Sequence, residues 1–120
     1  MRNLRSAILA SAIVALPATS WAHARLRSAE PAVGGTVRTA PAQVEITFSE
    51  AVEPRFSDIT VHDASGRQVD RKDVHVSASD AHRLTVGLEA LQPGQYTVNW
   101  HATSVDTHKT EGSYSFTVAP

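Results

Sequence analysis

The chain has 120 residues, with 11 Lys and Arg against 12 Asp and Glu for a formal charge of −1. That length allows one small domain and no second core, and the charge, with no basic run, argues against nucleic acid or an anionic membrane surface as partner. Cysteine is absent, so no disulfide supports the fold and no thiolate is offered to a metal.

Residues 1–22 read as a secretory signal. Arg2 and Arg5 open it, Ala7 to Leu16 form a short apolar run, and Ser20-Trp21-Ala22 places small residues where a signal peptidase inspects the chain. The run is too short, and too interrupted by Pro17, to span a membrane. Cleavage after Ala22 leaves residues 23–120, with 9 basic against 12 acidic residues and a charge of −3. This exported product keeps all six histidines and loses Met1, the only methionine. Its first residue is His23, whose free α-amine and imidazole form one two-nitrogen chelate suited to copper.

The mature segment reads as short strands. A first strand is expected from Arg25 to Ala29. Val44-Glu45-Ile46-Thr47-Phe48 alternates apolar and polar residues, as a half-buried strand does. Ile59-Thr60-Val61 repeats the pattern before the turn Asp63-Ala64-Ser65-Gly66, and Arg67 to Asp73 reads as a solvated loop of mixed charge. Val74 to Val76 is a weaker strand. Leu84-Thr85-Val86-Gly87-Leu88 leads into the turn Gln92-Pro93-Gly94-Gln95, where Pro presets one dihedral and Gly supplies the other. Tyr96 to Trp100 and Ser113 to Val118 complete the set. About seven strands at this spacing predict an all-β fold, a single small Greek-key sandwich or barrel. The inward residues are expected to be Val44, Ile46, Phe48, Ile59, Val61, Leu84, Val86, Leu88, Tyr96, Val98, Trp100, Tyr114, Phe116 and Val118.

Asp106-Thr107-His108 precedes the last strand. In extended backbone, residues i and i+2 project to one side, so carboxylate and imidazole would face one ion. Taken alone, the same triplet also describes a loop in which Asp caps a turn and His is solvated. Joined to His23, it offers two imidazoles, an amine and a carboxylate, an N/O set suited to tetragonal Cu(II). Each donor binds deprotonated, so binding weakens on acidification. His101 neighbours Trp100 and is expected on the opposite, solvent face of its strand. His82 reads as a solvated loop residue. His62 and His75 read either as solvated or as a weak second site.

His23-Ala24, Ser28-Ala29-Glu30-Pro31-Ala32, Phe48-Ser49-Glu50, Trp100 to His108 and Gly112 to Val118 together resemble the CopC/PcoC family of periplasmic copper-binding proteins, over essentially the whole mature chain. The resemblance implies an Ig-like or cupredoxin-like β-barrel in the periplasm, binding one Cu(II) per chain through His23, Asp106 and His108. It implies copper resistance or homeostasis as the role and a CopD-type inner-membrane protein as partner, the chain itself being a monomer. Glu50 matches a family acid near the site, either a neighbour of the ligands or a structural residue. Some members bind Cu(I) through a Met-rich loop. The matching region here, Phe56 to His75, holds no methionine, and soft Cu(I) prefers sulfur, which marks a Cu(II)-only member.

Lytic polysaccharide monooxygenases also hold copper through an N-terminal histidine, so a copper redox enzyme is the competing reading. A 98-residue domain offers little face for a polysaccharide, and Asp106 would fill a position that oxygen chemistry needs open. A non-enzymatic carrier is the expectation. An Ig-like domain without metal is the third reading, and it needs no free amine at His23.

Overall fold

The computed structural model describes residues 24–120; the expected leader and His23 lie outside the described residues. The strands form where the alternating pattern placed them. They are β1 (Leu26–Glu30), β2 (Thr36–Val37), β3 (Gln43–Phe48), β4 (Asp58–Asp63), β5 (His75–Ser77), β6 (Asp80–Gly87), β7 (Gly94–Thr103) and β8 (Lys109–Val118), with one 3₁₀ turn at Pro54–Phe56. Sheet one runs β1-β3-β6-β5 and sheet two β2-β8-β7-β4. The chain crosses between sheets after β1, β2, β3, β4 and β6, which makes an all-β Greek-key sandwich. The strand that composition did not reveal is β2, two residues paired in parallel with Thr117 and Val118 of β8.

Period-two alternation sends one residue set of each strand into the space between the sheets. Val44, Ile46, Phe48, Ile59, Val61, Leu84, Val86 and Val98 are fully buried there, with Leu88, Tyr96, Tyr114, Phe116 and Val118 nearly so. Each such aliphatic or aromatic side chain contributes roughly 1.5–3 kcal/mol by leaving water. Trp100 departs from expectation: it is only half-buried, packed against the core edge-on to Phe48 at 5.2 Å between ring centroids. Tyr96 closes the β6–β7 connection by donating its hydroxyl to the Gln92 carbonyl at 2.5 Å, the tyrosine corner of Greek-key sandwiches.

The segment Arg67 to Asp73 corrects the sequence reading in its middle, for Arg67, Arg71, Lys72 and Asp73 are exposed but the residues between are not a solvated loop. Val69 and Asp70 are buried. The Val69 N–H donates to Val61 of β4, and the Val69 carbonyl accepts from the Glu89 N–H. The Arg71 N–H donates to Gly87 of β6. The segment thus bridges the two sheets and closes the sandwich along that side. Asp70 sits inside the bridge because its carboxylate accepts the Val61 and Lys72 backbone N–H groups and the Gln68 amide.

The feature that positions the site is the β7–β8 hairpin. Its register runs unbroken from Gly94↔Val118 to Thr103↔Lys109, which puts residues 104–108 at its tip. At the same end lie the start of β1, the segment after β3 and the start of β6.

Candidate metal centre

Asp106 and His108 meet at the hairpin tip, by a route different from the expected one. The backbone between them is a turn, not a strand. The Thr107 N–H donates to the Ser104 carbonyl at 2.8 Å and the Ser104 N–H to the His108 carbonyl at 2.9 Å. Thr107 takes φ +72°, a left-handed conformation that costs a residue with a Cβ roughly 1–2 kcal/mol and that concentrates at functional sites. This reversal sets His108 Nδ1 3.3 Å from Asp106 Oδ1, with both side chains about half exposed.

Ser104 lies beneath the pair and is fully buried. Its hydroxyl donates to Asp106 Oδ1, and Oγ accepts the His108 N–H at 3.3 Å. The Ser104 hydroxyl, followed by the imidazole and N–H of His108, holds the Asp106 carboxyl below its ordinary value of 3.8. The loop is fixed to the segment after β3: the Val105 N–H donates to the Ala51 carbonyl at 3.1 Å, and Val52 bridges Ser104. Glu50, half-buried, immediately precedes that contact.

The start of the described chain is fastened to the same place. Ala24 is fully buried, and its carbonyl accepts the Thr110 hydroxyl at 2.6 Å. The Arg25 N–H donates to Ser49 Oγ at 2.9 Å, and the Ser49 N–H returns to the Arg25 carbonyl at 2.8 Å. Thr110, on β8, is two residues beyond His108, so the residue bonded to His23 is fastened to the strand that leaves the Asp106–His108 turn. That pair supplies one oxygen and one nitrogen donor. Among the described residues no group of three His, Asp or Glu donors converges.

The other histidines stand apart. His101 is exposed on the outer face of β7, as expected, in register with Asp58 on one side and Glu111 on the other. These three help line a groove of about 760 Å³, which includes neither Asp106 nor His108. His82 is in β6 rather than a loop, with Nδ1 3.4 Å from Asp80 Oδ1. His62 is on β4 of sheet two, while His75, on β5 of sheet one, has Nδ1 2.9 Å from the Asp73 carbonyl.

The family model of the CopC domain matches residues 26–119. The chain belongs to the CopC family. Among its CopC-family relatives, Protein YobA of Escherichia coli K12 is 36% identical over 118 residues, covering 98% of this chain and 95% of that one. The crystal structure of CopC from Methylosinus trichosporium OB3b aligns with a TM-score of 0.76 at 34% identity, covering 82% of this chain and 95% of that one. PcoC from Escherichia coli, described as a methionine-rich copper resistance protein, aligns with a TM-score of 0.72 at 33% identity, covering 81% and 99%. The CopC family is thus one of copper-resistance proteins, and its solved members share this β-sandwich.

Three residues of the site were given no role by the sequence reading, Ser49, Ser104 and Thr110, although the first two stand in stretches that carry the family resemblance. Each is a small hydroxyl residue that reads as an ordinary loop or strand position. For Ser104 a signal existed, its place two residues before Asp106 in Ser104-Val105-Asp106-Thr107-His108.

Proposed function

We propose that this CopC-family chain is a periplasmic Cu(II) carrier or buffer serving copper resistance or homeostasis. Residues 1–22 direct export and are removed, and the mature monomer binds one Cu(II) through the α-amine and imidazole of His23 together with Asp106 and His108. The observation that carries this reading is the fastening of Ala24 to Thr110. It ties the residue after His23 to the strand that begins one residue past His108, where an imidazole and a carboxylate stand 3.3 Å apart. The donors are nitrogen and oxygen throughout, and the mature chain holds no sulfur, a set that favours Cu(II) over Cu(I). The copper-resistance names of relatives support the cargo. A carboxylate beside His108 favours holding copper over oxygen chemistry at an open position, and a CopD-type inner-membrane protein is the expected recipient.

The test is a Cu(II) titration of the mature protein followed by electron paramagnetic resonance, beside a chain carrying one extra residue before His23. One tight equivalent with nitrogen couplings is expected, weakened by orders of magnitude in the extended chain, whose α-amine has left the chelate. Two strong equivalents, none, or equal binding by the extended chain would refute the assignment.

A further inference from the structure

We infer that Ser104 is the positioning residue of the Asp106–His108 pair: its buried hydroxyl commits one oxygen of the Asp106 carboxylate and leaves the other to the metal. The inference rests on the proposed copper site and adds how the aspartate is presented there.

A hydroxyl has one proton to donate and two lone pairs. Sealed from water at 0% exposure, the Ser104 hydroxyl must use that proton inside the protein. The His108 carbonyl, 3.3 Å away, already accepts the Ser104 N–H at 2.9 Å. The proton goes to Asp106 Oδ1. On its acceptor side the same Oγ receives the His108 N–H. One atom therefore touches the backbone of one ligand residue and the side chain of the other.

The turn does not need this hydroxyl. Its closing bonds, Thr107 N–H to Ser104 C=O and Ser104 N–H to His108 C=O, are backbone to backbone and survive removal of Oγ. What Oγ adds is a buried hydrogen bond that fixes the rotation of the half-exposed carboxylate, whose other contacts come from the imidazole and N–H of His108. Groups that bond metal ligands from behind in this way commonly matter 10–100-fold to metal affinity.

The experiment is a double-mutant cycle on Cu(II) affinity, measured by chelator competition in mature protein, with Ser104→Ala, Asp106→Ala, the double variant and His108→Ala as control. Ser104→Ala is expected to weaken binding about 10–100-fold and to shift the parallel copper hyperfine splitting. In the Asp106→Ala background the same change should alter affinity less than about twofold, because coupled residues lose their effect once the partner is gone. An equal loss in both backgrounds would show general support of the loop and overturn the inference. So would unchanged affinity in Ser104→Ala while His108→Ala binds poorly, a result that leaves the copper site standing. If His108→Ala also binds normally, the site itself falls and the inference with it. Should Ser104→Ala not fold, the metal-free parent decides by NMR. A slowly exchanging Ser104 hydroxyl proton hydrogen-bonded to Asp106 is expected, and a rapidly exchanging one overturns the inference.

Discussion

Trp100 lies across Gly112 so closely that a methyl group at position 112 would stand 2.6 Å from the indole Cζ2. The two are register partners on β7 and β8, and Phe48 packs against the indole. Gly112 is thus needed for space rather than for a backbone angle. Gly112→Ala should destabilise the fold by about 1–3 kcal/mol, the usual range for overpacking, measured by urea unfolding. An unchanged midpoint would mean that the indole yields freely.

The two buried tyrosines should respond oppositely to loss of their hydroxyls. Tyr96 donates to Gln92, so Tyr96→Phe should cost about 1 kcal/mol or more. The Tyr114 hydroxyl is buried without a hydrogen-bond partner among the described residues, so Tyr114→Phe should be neutral or stabilising by up to about 1 kcal/mol. Burial, then the nearby Glu30 charge, push the Tyr114 pKa up from 10.0. The folded state therefore keeps that proton where the unfolded chain releases it, and stability should fall as pH rises above 10. In Tyr114→Phe this alkaline loss should be smaller. Thermal melts at pH 8 and pH 10.5 check both statements.

Acid should act in two separate windows. Copper release follows proton competition for the nitrogen donors, the α-amine having a reference value of about 7.7–8.0, so affinity should fall as pH drops below about 8. The fold has a different window. The Ser65 hydroxyl beside Asp63, the His82 N–H beside Asp80 and the Ser104 hydroxyl beside Asp106 each hold a carboxyl below 3.8. A depressed folded value gives stability that is present above the unfolded value and lost as pH falls through the folded one. Copper affinity should therefore decline from near neutrality while circular dichroism stays unchanged until pH is below about 3.8. Loss of fold and copper together would contradict this order.

Histidine substitutions should separate the site from the surface. His108→Ala should reduce Cu(II) affinity strongly and Asp106→Ala less, since the second leaves three nitrogen donors. His101→Ala should be nearly silent, because that side chain is exposed on the outer sheet face. Isothermal titration of the three variants would reveal an error if His101→Ala proved as damaging as His108→Ala.

The parts of this protein that were legible in the sequence are those governed by short-range periodicity. Val44, Ile46 and Phe48, or Tyr96 and Val98, reveal their common face through alternate positions. Asp70 was illegible, because its burial depends on the Val61 N–H nine residues away, and a single apolar Val69 among charges gives no pattern. β2 has two residues, and its partners lie at the far end of the chain. At the candidate site, Asp106 and His108 stand out as residue types, but the backbone between them is a turn and not the extended one their spacing suggests. Thr107 in a left-handed turn brings them together, and a β-branched residue gives no advance sign of that conformation. Ser49 and Thr110 were invisible because their roles exist only once β1 meets β3 and β8.

The bridge built by residues 68–71 also bears on how the protein behaves in a crowd of its own copies. Strand edges with unpaired amides invite a neighbour to extend the sheet. Here Gln68 and Val69 occupy part of the outer margin of β4, while the margins at β5 and β2 are three and two residues long. The five-residue β1 is the longest outer strand left open on sheet one. In this cysteine-free domain the margin beside β4 is thus blunted by backbone arrangement alone, and strand addition would have to use β1.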